Sequence, residues 1–417
     1  MNKNDLAIFG GPKTITQPGP HYEWPIVTPE MEQAVLKQLK DSISIYNKSG
    51  VFERFENTFS AYHGKKHALL CNSGTNAILS MYEGIQLGPG DEVICPTYTF
   101  FATASPLLFT GATPVFVDCS TDGNIDPSLI ERQITPKTKA VVVTHMWGIP
   151  CNMEAIRKLC DDHGIYLLED CSHAHGAKFN GKLVGTFGHA AAWSLQGQKL
   201  ITGGEGGILL TDDPEIFYRS LLLGHYNKRC KQEIPRDHPL SRFSTTGFGL
   251  KLRAHPLAIA IAEEQFSHLQ EWLQQKADYA AHFMEVLGQY KFIKLPNIQD
   301  RIPSWYAFVF SVNPESTGVN ADRFDELLKS EGLVESDRPN ATCPLHNLPL
   351  FLETNVVLPR LYGTPTKADH EFPEAVKFYN QAVKLPLWVR PQDRKIVESY
   401  KLGLDKICKA ISKGYCR

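Results

Sequence analysis

Residues 67–77, His-Ala-Leu-Leu-Cys-Asn-Ser-Gly-Thr-Asn-Ala, indicate the fold class, because a short apolar run passes directly through a small polar turn into a helical pattern. The apolar run predicts a buried strand at 67–71, and the residues that follow predict a helix at 75–85. A strand joined in this way to a helix is the repeating unit of an α/β protein. The stretch therefore predicts a parallel sheet with helices packed on it.

The same alternation continues to about residue 215. Further strands are predicted at 92–95, 114–117, 140–144, 165–168 and 207–210, and further helices at 99–108, 152–163 and 214–223. We therefore expect an α/β fold with a mostly parallel sheet flanked by helices.

The second half of the chain has a different pattern. Residues 224–250 form a polar, basic excursion, and a long helix is predicted at 256–287. A strand at 307–312 and helices at 321–330 and 394–411 then indicate a smaller α+β unit. We expect an N-terminal arm at 1–30, a large domain at 31–287 and a small C-terminal domain at 288–417.

Composition excludes several classes of protein. The 417 residues carry 43 basic and 45 acidic side chains, so neither the net charge nor a local basic patch indicates a nucleic-acid partner. No apolar run reaches the roughly 20 residues that a bilayer span requires, and the N-terminus lacks a signal-peptide pattern. The ten cysteines have no C-x-x-C spacing. These features predict a cytoplasmic protein with no metal site and no membrane partner.

Three segments beyond strand ends carry candidate chemistry. The first is residues 72–77, where the backbone N–H groups of a helix start and the small Gly74 could cradle a phosphate. An ordinary helix cap by Ser73 or Thr75 is the competing interpretation.

The second segment is Glu169-Asp170, at the tip of an apolar strand. Because successive strand side chains point to opposite faces, one of these two carboxylates can face a ligand, and Asp170 is the better candidate. A surface cap or ion pair would explain the same residues.

The third segment places Lys199 ahead of the glycine-rich run 203–207. The order of residues does not match a nucleotide-binding P-loop, and the glycines suggest crowding by a flat or bulky group. A lysine in a desolvated setting can form a Schiff base with an aldehyde, whereas a surface lysine is the alternative. A phosphate cradle, a strand-end aspartate and a lysine, in that order, predict a site for pyridoxal 5′-phosphate (PLP).

These residues resemble the DegT/DnrJ/EryC1/StrS sugar aminotransferases, which belong to the fold type I PLP-dependent transferases. The motifs that carry the resemblance are Ser73-Gly74-Thr75-Asn76-Ala77, Glu169-Asp170, and Ser194 with Lys199 ahead of Gly204-Glu205-Gly206-Gly207. Residues 6–11, 52–56 and 385–388 extend the match over nearly the whole chain.

The resemblance implies a role for each matching residue. Lys199 would hold the cofactor as an internal aldimine and then carry a proton, and Asp170 would pair with the pyridinium nitrogen. The backbone N–H groups of Gly74 and Thr75, with the Ser194 hydroxyl, would hold the phosphate.

Three further positions would contact the cofactor. Phe100 matches the aromatic residue that stacks on the pyridine ring, although a core aromatic on an amphipathic helix is the competing interpretation. His173 stands where the family often has Gln near the phenolic oxygen, and its protonation would make activity more pH dependent. A metal bound by His173 and His175 would need a third ligand that the sequence does not offer nearby. Lys251 stands where relatives usually carry Asn, and we expect it to cross a homodimer interface to the partner's phosphate.

The resemblance implies a cytoplasmic aminotransferase of amino-sugar biosynthesis with active sites at the interface of a homodimer. It would move an amino group from L-glutamate or L-glutamine to a nucleotide-linked keto-hexose or a keto-cyclitol by a ping-pong mechanism. Residues 225–242, with Tyr226, Asn227, Lys228 and Arg229, are a candidate substrate loop or a solvated, structureless loop.

A lyase, dehydratase or cyclase on the same scaffold is the alternative function, although the family's dehydratases replace the lysine by histidine. A regulatory protein that binds the cofactor without turnover is disfavoured because Lys199, Asp170 and Ser194 are all present, and an oxidoreductase is disfavoured because the strand-G-x-G-x-x-G-helix unit is absent.

Overall fold

A computed structural model describes residues 2–363 and 371–416. The strands are β1 (His67–Cys71), β2 (Glu92–Pro96), β3 (Tyr98–Phe100), β4 (Thr113–Val117), β5 (Thr138–Thr144), β6 (Tyr166–Asp170), β7 (Lys178–Phe179), β8 (Lys182–Leu183), β9 (Ala190–Ser194), β10 (Gly207–Thr211), β11 (Ile293–Lys294), β12 (Arg301–Ile302), β13 (Phe308–Val312), β14 (Thr342–Pro344) and β15 (Ala382–Leu385).

The α-helices are α1 (Pro29–Asp41), α2 (Gly50–His63), α3 (Gly74–Gly84), α4 (Ser105–Thr110), α5 (Pro127–Ile130), α6 (Met153–His163), α7 (Pro214–Gly224), α8 (Lys228–Glu233), α9 (Pro256–Ser267), α10 (Leu269–Leu287), α11 (Ala321–Ser330), α12 (Pro349–Leu352), α13 (Thr354–Val357), α14 (Pro373–Gln381) and α15 (Arg394–Ser412).

A seven-stranded sheet lies at the centre, in the order β1-β10-β9-β6-β5-β2-β4. The pairs from β9 to β4 are parallel, whereas β10 runs antiparallel to both of its neighbours. The middle strands of this sheet are apolar on both sides because helices cover both of its faces. Helices α3 and α7 pack on one face, and α2 and α9 pack on the other. The predicted mostly parallel α/β sheet is confirmed.

Side-chain caps define where the helices around this sheet begin. The Ser73 hydroxyl accepts from the Asn76 N–H at 3.1 Å, and the Asp213 carboxylate accepts from Glu215 N–H at 2.8 Å at the start of α7. Each cap satisfies at least one of the N–H groups that a first helical turn leaves without an intrahelical acceptor. The caps therefore fix the points at which the helices leave the strand ends.

Two predicted helices are wrong in part. Residues 99–108 form the end of β3, a short 3-10 turn and only then α4, because Ser105-Pro106 begins a new helix and β3 pairs with β14. The helix predicted at 256–287 is interrupted at His268, where the N–H bonds back to the Gln265 carbonyl in a tighter turn.

The excursion at 224–250 contains two short helices, α8 and a 3-10 helix at Pro239–Phe243. The expectation of a structureless loop is therefore wrong for these residues.

A second, three-stranded antiparallel sheet, β11-β13-β15, lies in the C-terminal part of the chain. Helices α10, α11 and α15 contribute side chains to its apolar core. Leu6 and Ile15 of the N-terminal arm are buried in the same core. This packing ties the arm to the C-terminal region.

Within residues 2–363 and 371–416, none of the helices is both long enough and apolar enough to cross a membrane.

Candidate active site

The predicted site residues follow strands of the central sheet. Asp170 is the last residue of β6, Ser194 is the last residue of β9, and the turn after β1 leads into α3 at Gly74. Because β1, β6 and β9 all point the same way, their carboxyl ends meet at one edge of the sheet, where α/β proteins bind ligands.

Lys199 presents its amine to the interior of this edge. As a whole residue Lys199 is partly exposed, but protein atoms surround its amine. This desolvation lowers the pKa of Lys199 to about 8, although the negative charge of Asp170 raises it. Its Nζ lies 4.6 Å from the ring centroid of Tyr306. The Trp24 indole N–H donates to the Lys199 carbonyl at 3.1 Å, so the arm fixes the backbone here. A lysine with this pKa is partly neutral near pH 8 and can act as a nucleophile.

Asp170 is buried and receives two hydrogen bonds. Thr103 Oγ1 donates to Oδ2 at 2.7 Å, and the Ser172 N–H donates to Oδ1 at 3.0 Å. Behind Thr103, the hydroxyls of Thr99 and Thr144 complete a triangle with separations of 3.0–3.1 Å. These donors hold the carboxylate in a single orientation.

Glu169 is held on the opposite side of the strand. Its carboxylate accepts from three backbone N–H groups, those of Gly185, Phe187 and Gly188, and it also pairs with His145 Nε2 at 3.2 Å. The neighbourhood of His145, Glu169 and Cys171 resembles a metal site by distance. These hydrogen bonds already occupy the carboxylate, so we interpret the cluster as a structural support for β6.

Gly74 and Ser194 form a cradle at the start of α3. A β-carbon on Gly74 would meet Cβ of Ser194 at 2.6 Å. Within the described chain, no protein acceptor takes the N–H groups of Gly74 and Thr75, which belong to the first helical turn. These N–H groups and the Ser194 hydroxyl are donors for an anion.

The glycines after Lys199 are crowded by the chain itself. A β-carbon on Gly203 would meet the Ala258 carbonyl oxygen at 2.4 Å, and one on Gly207 would meet the Ser73 carbonyl oxygen at 2.3 Å. The expectation that a flat ligand crowds this run is therefore wrong for these two positions.

His173 is buried in a stack of aromatic rings. Its ring lies parallel to Tyr306, with centroids 4.0 Å apart and an interplanar angle of 7°, and Trp147 lies 5.7 Å away. Burial, with Lys199 as a secondary cause, holds the pKa of His173 well below its usual range. The ring therefore stays neutral, and the expected pH dependence from its protonation is wrong.

Phe100 ends β3 and is 37% exposed. The competing interpretation, a core aromatic on an amphipathic helix, is wrong because the residue lies on a strand and its ring is accessible. Three residues later, Thr103 bonds Asp170, so the segment that carries Phe100 borders the site.

Lys251 is exposed on the surface of this chain. The next residue, Leu252, accepts the Asn72 N–H at 2.7 Å, which places this segment beside the turn that leads into α3.

Arg229, by contrast, is not available to a ligand. Its guanidinium is 1% exposed and pairs with Glu56 at 2.7 Å and Glu233 at 2.6 Å. The expectation that Arg229 belongs to a substrate loop is therefore wrong, whereas Tyr226 and Lys228 are exposed.

Trp24, Thr103 and Tyr306 also lie at the site but are absent from the residues predicted from the sequence. Thr103 could have been predicted, because it lies three residues after Phe100, which was predicted to contact the cofactor. Tyr306 and Trp24 lie more than 100 positions from Lys199, and no local pattern marks them.

The residues present fit PLP. The glycine cradle offers N–H donors for a phosphate, and Asp170 is fixed by donors on both oxygens. Nδ1 of His173 is buried without a hydrogen-bond partner among the described residues, as expected of a group that a ligand would satisfy.

Comparisons with known proteins identify the family of the chain. A profile of the DegT/DnrJ/EryC1/StrS aminotransferase family matches residues 27–399. The chain is 31% identical over 367 residues to dTDP-3-amino-3,4,6-trideoxy-alpha-D-glucose transaminase of Streptomyces venezuelae, covering 86% of this chain and 88% of that protein. It is also 31% identical over 358 residues to a putative L-glutamine:3-amino-2,3-dideoxy-scyllo-inosose aminotransferase of Micromonospora echinospora, covering 83% and 82% respectively.

Among solved structures, E. coli GDP-4-keto-6-deoxy-D-mannose-3-dehydratase with bound hydrated PLP shares the fold. The TM-score is 0.78 at 24% identity, over 92% of this chain and 99% of that one. The scaffold therefore also carries dehydratases. With the family match over most of its length, the chain belongs to the DegT/DnrJ/EryC1/StrS family and is a PLP-dependent aminotransferase.

Proposed function

We propose that this aminotransferase moves an amino group from L-glutamate or L-glutamine to the ketone of a nucleotide-linked keto-hexose or a keto-cyclitol, by a ping-pong mechanism. The single observation that carries the proposal is the Lys199 amine, desolvated to a pKa of about 8, at the sheet edge where Asp170 and the Gly74–Ser194 cradle also lie. The names of the two relatives support both acceptor classes, one a nucleotide sugar and the other a cyclitol.

Each predicted site residue has a role in this proposal. PLP, when bound, supplies the electron sink that makes the substrate's Cα–H bond acidic. Lys199 would hold the cofactor and then carry the proton, which suits an amine whose pKa is lowered to about 8. Asp170 keeps the ring nitrogen protonated, and the Gly74 and Thr75 N–H groups with Ser194 bind the phosphate.

Two ring contacts complete the proposed site. Phe100, with its exposed face, would stack on the pyridine ring. His173, kept neutral by burial, would meet the phenolic oxygen through Nδ1, which lacks a protein partner among the described residues.

We place the acceptor in the cleft beside Lys199. This cleft has a volume of about 550 Å³ and is lined by Trp24, Gln198, Tyr306, Glu335 and Lys384, among others. Lys384 pairs with Asp337 at 3.0 Å, and Lys329 pairs with Asp325 at 2.6 Å. Paired charges and aromatic faces suit the hydroxyls and ring faces of a sugar or cyclitol.

We propose that the enzyme is a cytoplasmic homodimer with active sites at the interface and Lys251 crossing to the partner's phosphate. Support comes from the exposure of Lys251 beside Phe248 and Leu250, which are 40% and 48% exposed. Apolar side chains exposed together are typical of a surface that a partner covers. We also retain the division into an arm at 1–30, a large domain at 31–287 and a small domain at 288–417 as a proposal.

The interface proposal can be tested by mixing two inactive variants. A Lys199→Ala protomer and a Lys251→Ala protomer, unfolded and refolded together, form hybrid dimers. If Lys251 acts across the interface, each hybrid contains one intact site and activity returns. If activity stays absent although hybrids form, Lys251 acts within its own protomer, and a Lys251→Ala variant that is active before mixing would show that Lys251 has no role.

The reaction itself is tested by half-reactions. Incubation with L-glutamate or L-glutamine alone should bleach the yellow enzyme, and a keto-sugar or keto-cyclitol added afterwards should restore the colour while its carbonyl is exchanged for an amine. Mass spectrometry of the product separates this exchange from loss of water or of a fragment, which would indicate dehydration or another lyase reaction. Persistent colour with every amino acid tried would contradict transamination.

A further inference from the structure

Two tryptophans with left-handed backbone conformations lie on adjoining segments beside the active site. Trp147 has φ = 58° and Trp305 has φ = 53°. The Tyr306 N–H donates to the Trp147 carbonyl and the Ser304 N–H to the Gly148 carbonyl, each at 3.0 Å. Backbone strain of this kind persists where the surroundings fix the conformation, and it concentrates at functional sites.

Side chains tie the same segment down. Lys276, buried in α10, donates to the Trp305 carbonyl at 2.8 Å, and Ser304 Oγ donates to the His173 carbonyl at 2.8 Å. A residue held from both sides has little freedom to move. The backbone that carries Tyr306 is therefore fixed against the loop that carries His173.

This fixed ring meets the Lys199 amine. Nζ of Lys199 lies over the Tyr306 ring at 4.6 Å, and within the described residues the amine forms no hydrogen bond or salt bridge. The Tyr306 ring is also stacked with His173, at a centroid distance of 4.0 Å, and with Trp147, at 6.2 Å. We infer that Tyr306 is a positioning residue that holds the ammonium form of Lys199 over its ring whenever the lysine is not bonded to the cofactor.

The inference rests on the proposed role of Lys199 and adds a mechanism for keeping that side chain in place. A cation over an aromatic face is stabilised most where water is excluded. During turnover the amine leaves the cofactor and must remain within reach of it, and the ring provides a resting position at the site.

The charged and titratable groups that face Lys199 are Asp170, His173, His175 and Tyr306. Burial lowers the pKa of Lys199 to about 8, whereas Asp170 raises it. Burial also lowers the pKa of His175 to about 3 and keeps His173 neutral, so neither ring carries charge near pH 8. The pKa of Tyr306 is raised to about 12, so its hydroxyl stays protonated. The aromatic face of Tyr306 therefore stabilises the ammonium form of Lys199, as Asp170 does.

The test measures the rate at which the cofactor-free full-length enzyme captures added PLP at several pH values. The visible absorbance of the lysine-bound cofactor reports the capture. The neutral amine is the nucleophile, so the capture rate should rise with pH and reach half its maximum near the pKa of Lys199. Replacing Tyr306 by Leu should lower this midpoint by about one pH unit. Tyr306→Phe keeps the ring and should leave the midpoint unchanged.

A second replacement keeps the test independent of folding defects. Pentafluorophenylalanine at position 306 has nearly the shape of Phe but lacks the negative ring face, and it should lower the midpoint as Leu does. A midpoint that stays at the wild-type value in both replacements would overturn the inference. Lys199→Ala separates this outcome from a failure of the proposed function: if that variant still develops the visible absorbance, the assignment of Lys199 itself is wrong.

Discussion

Gly74 and Ser194 lie so close together that a β-carbon on Gly74 would come within 2.6 Å of Ser194 Cβ and 3.0 Å of its hydroxyl. The first residue of α3 and the last residue of β9 thus form one surface, which presents N–H and O–H donors together. In our account this surface binds the phosphate of PLP.

Gly74→Ala should weaken PLP binding at least about tenfold, because the methyl group displaces Ser194 and separates the donors that hold the phosphate. The measurement is a titration of cofactor-free enzyme with PLP. Gly88→Ala is the matched control, since a β-carbon there meets nothing within 4 Å. Equal affinity of the two variants would show that the cradle does not bind the phosphate.

Thr103→Val should also weaken PLP binding, by about tenfold, because a hydrogen bond to a charged group is lost beside the cofactor's ring nitrogen. The shape of the side chain is preserved, and the Ser172 N–H still supports Asp170. Thr103→Ser restores the hydroxyl and should recover the affinity. If the Ser variant binds as weakly as the Val variant, the hydroxyl is not the cause.

Arg229→Met should destabilise the protein by about 3–5 kcal/mol, because it leaves Glu56 buried without its charged partner. Urea unfolding measures the loss. The KM for the keto substrate should stay unchanged in the folded variant. Lys228→Met, at the exposed neighbouring position, should leave stability nearly unchanged. A higher KM with wild-type stability would instead show that Arg229 contributes to substrate binding.

Lys276 should make stability depend on pH. Burial lowers the pKa of Lys276 from 10.5 to about 7, so between these values the unfolded chain binds more protons at this site than the folded chain. Stability from this group therefore rises with pH from about 7, by at most about 1.4 kcal/mol per pH unit, and levels off above about 10.5.

Lys276→Met removes this titration. The free energy of unfolding of the wild type, minus that of the variant, should increase between about pH 7 and pH 9 in urea titrations with saturating PLP. Parallel pH profiles would mean that Lys276 keeps its ordinary pKa in the fold.

Much of the sheet could be predicted because its strands are local, β-branched or apolar runs. Strand β9 escaped prediction, since Ala-Ala-Ala-Trp-Ser has little strand propensity and becomes a strand only through its neighbours β6 and β10. The break at His268 is likewise invisible, because neither proline nor glycine marks it.

In the candidate site, too, residues in local motifs could be predicted and residues placed by distant contacts could not. Gly74, Asp170 and Lys199 stand in short motifs next to strands, so their positions could be inferred. The burial of Arg229 depends on Glu56, 173 positions away. The backbone of Trp305 and Tyr306 is fixed by hydrogen bonds with Lys276 and Trp147, and such distant pairings leave no local signal.

The assignment of Lys199 as the residue that holds the cofactor can be tested by reducing the PLP-loaded enzyme with borohydride and mapping the modified peptide by mass spectrometry. Hydride addition would convert the double bond between the lysine Nζ and the cofactor into a stable secondary amine. The modification is expected on Lys199. Modification of Lys276, a buried lysine whose pKa is lowered to about 7, would contradict the assignment.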